Sequence, residues 1–307
     1  METYDVIIIG SGAAGYTASI YATRFGMKAL VIGKEPGGQT NEAYEIDNYP
    51  GFVSVSGIEL MTKFKDQAEF LGAEILAFSE ASEIGKSGTK FSVKTTDGKT
   101  YNSKSLIIAT GSRKRKLGIP GEEKFRGKGV AYCATCDAAF YKGKTVAVVG
   151  GGDAALKSAL LLTEHARKVY LVYRKERKEM RAMPSVIRRA NESEKIEMIF
   201  RAKPREIRGS DKVEEVVFEQ DGEDLRLETD GLFVEIGWMP ETSLALKLGV
   251  ALDRNGKIKV KSDMSTNVKG VFAAGDITNG SNNMEQIVTS CSEGAIAAES
   301  AYKHVKK

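Results

Sequence analysis

Twice along the chain a short apolar run ends in a glycine-rich loop and passes directly into a stretch of helix formers. The loops are Gly10-Ser11-Gly12-Ala13-Ala14-Gly15 and Gly150-Gly151-Gly152-Asp153-Ala154-Ala155. The preceding runs, Tyr4 to Ile9 and Thr145 to Val149, are continuous and rich in Ile and Val, as strands covered on both faces of a parallel sheet are. Helices are predicted over Ala13 to Phe25 and Leu156 to His165, and the next strands over Lys28 to Ile32 and Lys168 to Val172. In each loop the first glycine allows a tight turn and the second lets the backbone approach a pyrophosphate. The third small residue lets helix pack on strand, and the helix N-terminus offers free amides and a positive dipole end. The expected fold is α/β, with two Rossmann-like dinucleotide-binding domains.

The residues after each second strand differ in charge. Glu35 stands 20 residues beyond Gly15, where a carboxylate either binds ribose hydroxyls or remains a solvated loop residue. After the later strand come Tyr173-Arg174-Lys175, with Arg177, Lys178 and Arg181 close by. Cations here favour a ribose bearing a 2′-phosphate, hence NADPH over NADH, the alternative being a solvated basic helix start.

The second loop is preceded by Cys133-Ala134-Thr135-Cys136-Asp137. Only three cysteines occur among 307 residues, too few for a secreted disulfide framework. A structural zinc site needs four ligands, and His165 and His304 are far apart in sequence, so no metal is expected. A solitary CxxC beside a βαβ unit reads as a redox pair, and Cys291 as a small buried residue. The length suits two domains, and a net charge of +4 is too mild to indicate nucleic acid. With no apolar run of membrane-spanning length and no signal-peptide pattern at the start, the expectation is a cytoplasmic protein.

Further strands are predicted at Phe91 to Thr95 and Lys104 to Ala109, joined across an Asp97-Gly98 turn, and at Ile196 to Phe200, Glu214 to Phe218 and Leu232 to Ile236. The closing stretch reads as a strand over Val271 to Ala274, then Gly275-Asp276, then a helix from about Glu285 to Lys303. Its Ala295, Ala297 and Ala298 would permit close packing on a sheet.

With these motifs in hand, the chain resembles the low-molecular-weight thioredoxin reductases, class II of the FAD-dependent pyridine nucleotide-disulfide oxidoreductases, over essentially its whole length. The marks are GSGAAG, Gly37-Gly38-Gln39, Asn48-Tyr49-Pro50-Gly51, Ala109-Thr110-Gly111, CATCD, GGGDAA and Gly270-Val271-Phe272-Ala273-Ala274-Gly275-Asp276. The resemblance implies a discontinuous FAD-binding domain, residues 1–113 and 243–307. An NAD(P)H-binding domain, 114–242, is inserted into it and carries the CxxC. It implies FAD contacts at Gly12, Ala13, Ala14, Glu35, Gly38, Gln39, Asn48, Ala109, Thr110, Gly111, Gly275, Asp276 and Gln286. The NADPH site would use Gly152, Asp153, Ala154, Arg174, Lys175 and Arg181.

The implied activity is that of a flavoprotein disulfide reductase: electrons pass from NADPH through FAD and the Cys133/Cys136 dithiol to thioredoxin or a thioredoxin-like protein. Cys136 would face the flavin and Asp137 would manage thiol protons, unless Asp137 is only a helix N-cap; which thiol attacks the partner stays open. A homodimer is implied. Because dithiol and nicotinamide must each reach one flavin in the other domain, the domains are expected to rotate about Gly111 to Gly118 and Gly237 to Thr242.

Departures from the family pattern leave alternatives. Tyr173-Arg174-Lys175 replaces His-Arg-Arg, Arg181 falls two residues late, Glu285 stands where Arg usually precedes Gln286, and Ala139 lacks the aromatic bulk common after CATCD. The basic run Arg113-Lys114-Arg115-Lys116 is either a linker surface or a landing patch for an acidic donor. NADH or ferredoxin as donor, a glutaredoxin-like or peroxiredoxin acceptor, and a non-enzymatic flavin-bound redox sensor are the competing readings.

Overall fold

The computed structural model describes residues 3–43 and 45–306. The chain forms two compact units, one of Met1–Arg113 with Pro240–Lys307 and one of Lys114–Met239.

The first unit opens with β1 (Thr3–Ile9), α1 (Ala13–Arg24), β2 (Ala29–Gly33), α2 (Gly57–Phe70), β3 (Glu74–Ala77), β4 (Ala81–Ser87), β5 (Lys90–Thr95) and β6 (Thr100–Ile108). Strands β3, β2, β1 and β6 lie side by side and parallel. Ile7, Ile8, Leu106 and Ile107 are fully buried, each contributing about 1.5–3 kcal/mol by leaving water. The first half of β6 also pairs with β5, which pairs with β4, both antiparallel. Helix α2 is capped by Ser56, whose hydroxyl accepts the Glu59 amide at 3.2 Å.

A short segment, β7 (Ser112–Lys114), leads into the second unit: β8 (Val130–Ala131), α3 (Ala134–Asp137), β9 (Thr145–Val149), α4 (Asp153–Leu162), β10 (Lys168–Tyr173), α5 (Pro184–Glu192) and β11 (Ile196–Phe200). Next come β12 (Ala202–Arg208), β13 (Glu215–Gln220), β14 (Glu223–Glu228) and β15 (Gly231–Val234). A parallel sheet runs β11-β10-β9-β15-β8, and β12-β13-β14 form an antiparallel sheet of three. Val146 and Val148 of β9 are fully buried beneath Leu156, Ala159 and Leu162 of α4.

The chain returns through β16 (Trp238–Pro240), which pairs with β7. It completes the first unit with α6 (Ser243–Lys247), β17 (Val271–Ala273) and α7 (Ile287–Val305). Strand β17 is parallel to β6. Ala297, Ala298 and Ala301 of α7 are fully buried in one cluster with Ala14, Ala18 and Ala22 of α1. Ala295 is only partly buried. Among the described residues no helix is long and apolar enough to cross a membrane.

Candidate active site: two dinucleotide loops and a cysteine pair

The two glycine loops repeat one geometry. The first glycine of each has positive φ, +116° at Gly10 and +156° at Gly150. A Cβ there would strike backbone, 2.1 Å from the Ala109 oxygen and 2.2 Å from the Glu235 oxygen. Each loop is thus pressed against the end of a neighbouring strand, and only glycine fits. The second motif glycine is the N-cap of the helix, in nearly the same extended conformation: φ −87°, ψ −167° at Gly12 and φ −106°, ψ −179° at Gly152. A Cβ on Gly152 would meet nothing within 4 Å, and one on Gly12 only the Gly37 oxygen at 3.9 Å. Neither N-terminus receives a side-chain cap, so the first amides of α1 and α4 are left without an acceptor from their N-cap side chains. That is the cradle a pyrophosphate needs, and both loops fit a dinucleotide. Helix α4 begins at Asp153, three residues earlier than the predicted Leu156, so Asp153 and Ala154 sit in its first turn.

In the first unit some of the residues named from sequence touch this loop, and others are bonded to partners elsewhere in the unit. Gly37 donates its amide to the Ser11 oxygen at 2.8 Å, and a Cβ on Gly38 would lie 3.5 Å from the Gly12 Cα. Ser11 donates to the Glu35 carbonyl at 3.2 Å, and the Glu35 side chain is exposed. Ala109 and Thr110 abut Gly10. Gln39 donates to the Ser112 carbonyl at 3.1 Å, and Thr110 to the Glu241 carbonyl at 2.8 Å, while Gly111 accepts the Glu241 amide at 2.9 Å. Asn48 and Gln286, 238 positions apart, are joined by an Nδ2-to-Oε1 bond of 2.8 Å.

Gly275, with φ +85°, stands beside Ala14. Asp276 accepts the Ser290 hydroxyl at 3.2 Å, and burial together with the Glu285 charge pushes its carboxyl up to about 6. Glu293, which sequence reasoning missed, is 4 % exposed and accepts the Gly275 amide at 2.9 Å and the Thr278 hydroxyl at 2.7 Å. A lone acid in the small-residue face of α7 was the available signal. Glu285 pairs with Lys257 at 2.6 Å. Cys291 is half-buried, its sulfur 3.9 Å from the Tyr49 hydroxyl, and burial pushes its thiol pKa up.

In the second unit, Tyr173 packs its ring on Gly151, where a Cβ would lie 2.3 Å from ring carbons, and its hydroxyl donates to the Glu179 carbonyl at 2.9 Å. Arg181 donates its amide to the Gly151 oxygen at 2.9 Å, which sets it against the loop although it falls late in sequence. Asp153 accepts the Met183 amide at 2.8 Å. The cations divide. Lys175 pairs with Glu179, Lys178 with Glu176, and Arg177 donates to Asn191. The exposed Arg174 and Arg181 side chains have no ion pair among the described residues.

Cys133 and Cys136 form a disulfide, with Cα atoms 5.3 Å apart. Cys133 precedes α3 and Cys136 lies within it, and the Cys136 amide points at the Cys133 sulfur from 3.1 Å. Cys136 is exposed and Cys133 partly so. Asp137 ends α3 and makes no side-chain cap to the next 3-10 turn. Burial pushes its carboxyl up, opposed by the Lys114 charge. Phe140 stands 72 % exposed three residues on. The basic run is consumed locally: Arg113 pairs with Glu241 at 2.9 Å, Arg115 donates to the Trp238 carbonyl at 3.0 Å, and Lys116 pairs with Glu123.

Comparison with known proteins agrees with this geometry. The family model for pyridine nucleotide-disulphide oxidoreductases matches residues 4–294. A thioredoxin reductase of Listeria monocytogenes is 40% identical over 310 aligned positions, spanning 100% of this chain and 95% of that one. The thioredoxin reductase structure from Lactococcus lactis matches with a TM-score of 0.92 at 40% identity, covering 99% of each chain. That of T. acidophilum matches at 0.90 and 36%, covering 100% of each. A cysteine pair beside one dinucleotide loop, in a chain that builds a second such loop, therefore belongs to a member of the pyridine nucleotide-disulphide oxidoreductase family, in its low-molecular-weight thioredoxin reductase group.

Proposed function

We propose that this flavin disulfide reductase takes electrons from NADPH, passes them through FAD to the Cys133/Cys136 pair, and delivers them to the disulfide of thioredoxin or a thioredoxin-like protein. The observation that carries the reading is the Cys133–Cys136 disulfide, partly exposed and succeeded at once by a carboxyl that burial keeps protonated to higher pH than usual. FAD is assigned to the cradle at Gly12 and NADPH to the cradle at Gly152, where the unpaired Arg174 and Arg181 favour a 2′-phosphate. When bound, the flavin supplies two-electron exchange between nicotinamide and disulfide.

The rest is done by the chain. Opening the disulfide takes two electrons and gives two sulfurs, one of which takes up a proton while the other remains a thiolate. Asp137 is placed to hold and return protons. The Cys136 amide, 3.1 Å from the Cys133 sulfur, favours negative charge on that atom. One sulfur attacks the partner's disulfide and the other resolves the mixed disulfide, releasing the reduced partner. The exposed Phe140 offers the partner an aromatic contact that Ala139 does not.

The protein is assigned as a homodimer, and the two units as the FAD-binding and NADPH-binding domains. For dithiol and nicotinamide to reach the flavin in turn, rotation is assigned to the crossings at Gly111 to Arg113 and Met239 to Thr242. Leu117 and Gly118 fall outside this hinge, because Glu122 accepts their amides at 2.8 and 2.7 Å within the second unit. Nothing in the arrangement of the basic run favours an acidic docking partner, since each of its cations is engaged.

Anaerobic titration tests the reading. NADPH is expected to bleach the flavin absorbance and then to introduce two further electrons, with NADH far less effective. Bleaching by reduced ferredoxin alone would overturn the donor assignment, and a Cys136→Ser variant that still reduced thioredoxin would overturn the relay.

A further inference from the structure

Lys114 is the one cation of the basic run 113–116 that is not exposed; its side chain is 11 % accessible. Its ammonium group donates to the carbonyl of Tyr132, the residue joined to Cys133. It lies 5.0 Å from the centre of the Trp238 ring and 3.7 Å from Glu235 Oε1. Glu235 is itself 7 % exposed and accepts the Ser158 hydroxyl at 3.0 Å. An ammonium group is costly to bury, so its location needs a reason. Glu235 compensates it in the oxidised protein, where the Cys133–Cys136 disulfide carries no charge. Reduction adds a second anion, the thiolate, on a segment whose Tyr132 carbonyl Lys114 holds and whose Asp137 feels its charge.

We propose that Lys114 is a positioning residue of the dithiol, anchoring the Tyr132–Cys133 segment through its carbonyl and giving the reduced pair its counter-charge. A fixed cation near a thiol favours the thiolate, the form that attacks disulfides. The other charged and titratable groups around this segment do not replace it. Asp137, Glu235 and Glu122 are carboxyl groups and supply no positive charge, Tyr132 donates its hydroxyl to Glu122 at 2.6 Å, and Tyr141 is kept neutral by burial, pushed up to about 12. Arg126, 5.7 Å from the Tyr132 ring, is exposed. The proposal rests on the Cys133/Cys136 pair being the redox couple, and not on which donor or acceptor it serves.

The test is the pH profile of iodoacetamide alkylation at Cys133 and Cys136 in the full-length, flavin-loaded protein after reduction with dithiothreitol, read by mass spectrometry. Lys114→Met is expected to move the midpoint upward by about half a pH unit, which is about threefold less thiolate at fixed pH below the midpoint. Lys114→Arg should restore most of the wild-type profile, and Glu235→Gln, which removes the competing anion, should move the midpoint downward. Coincident profiles for Lys114→Met and wild type, or an upward shift in Lys114→Arg as large as in Lys114→Met, would overturn the proposal. If Lys114→Met does not fold, Glu235→Gln decides, and an unmoved midpoint there rejects the idea. Chemical reduction bypasses the donor, so a protein that fails to reduce thioredoxin refutes the functional reading while leaving this profile readable.

Discussion

Alanine at the first and second motif glycines of the second loop should separate folding from nucleotide binding. At Gly150 the added methyl carbon would sit 2.2 Å from the Glu235 oxygen and 2.7 Å from Ala155 Cβ, at φ +156°. Backbone cannot give way as a flexible side chain does, so overpacking costs about 1–3 kcal/mol. The positive φ adds about 1–3 kcal/mol. At Gly152 the same methyl meets nothing within 4 Å, in an extended conformation open to any residue. Folding should then be unchanged or better by about 0.4–1 kcal/mol, because the unfolded chain loses freedom.

Binding should respond in the opposite order. If the loop holds a pyrophosphate as proposed, a methyl at Gly152, projecting into open space at the helix N-terminus, would hinder its approach to the amides of Asp153 and Ala154. Two lost charge-assisted bonds at about 1.5–3 kcal/mol each weaken affinity by roughly 100-fold or more. The assay pairs urea unfolding of nucleotide-free protein with calorimetric titration of NADPH. Wild-type affinity in Gly152→Ala, or a destabilisation equal to that of Gly150→Ala, would refute the assignment of this loop. The first loop offers an internal repeat of the experiment at Gly10, 2.1 Å from the Ala109 oxygen, and Gly12, with 3.9 Å of clearance to the Gly37 oxygen.

Three further outcomes are expected. Glu122→Gln turns an amide group toward the Gly118 amide, so unit two should lose about 2–4 kcal/mol in urea unfolding; adding Tyr132→Phe should cost less than the sum, since both changes touch one carboxylate. Asp276 has a folded pKa raised to about 6, so the folded state holds its proton where the unfolded state does not, and stability falls as pH rises from about 4 to about 6. Asp276→Asn should remove about 3 kcal/mol of that pH dependence from FAD-free protein, seen as flatter unfolding midpoints between pH 4 and pH 7, while weakening FAD binding. Asp137→Asn should slow thioredoxin reduction about 100-fold while leaving anaerobic bleaching of the flavin by NADPH intact.

The parts of this fold legible in sequence are those whose cause is local. Thr145–Val149 is bounded to the residue, because a short run of apolar, mostly β-branched residues admits little but a buried parallel strand, and Ile196–Phe200, a partly exposed edge strand, also matches in its bounds. The glycine loops declare their conformation, since positive φ and backbone contact leave glycine no substitute. Helix α2 and strands β12 and β14 are not legible in this way. Their charged residues obscure the period: α2 buries only Gly57, Leu60, Met61 and Ala68 of fourteen residues, and β14 only Leu227 of six. What defines them is pairing with distant segments, as β12 and β14 flank β13.

The same distinction governs the site. Motif glycines, the CxxC and Asp276 announce themselves, but the residues that fix them act through partners far along the chain. Glu293 holds the Gly275 amide across 18 positions, Asn48 meets Gln286 across 238, and Lys114 reaches the carbonyl before Cys133 across 18. In sequence Lys114 is one of four consecutive cations and reads as part of a linker surface or of a landing patch for an acidic donor. Only the closed ladder of β7 with β16, and the burial of one side chain beneath Trp238, separates it from its neighbours. A charge run thus divides into three cations satisfied at the surface by Glu241, the Trp238 carbonyl and Glu123, and one turned inward to the redox segment. Charge that surface partners neutralise cannot influence a thiol, whereas charge held in a poorly screened interior can. If the division is physical, raising salt from about 0.05 to about 0.5 M should leave the thiol titration of the reduced protein nearly unmoved, because screening acts on exposed charges and Lys114 is not one of them.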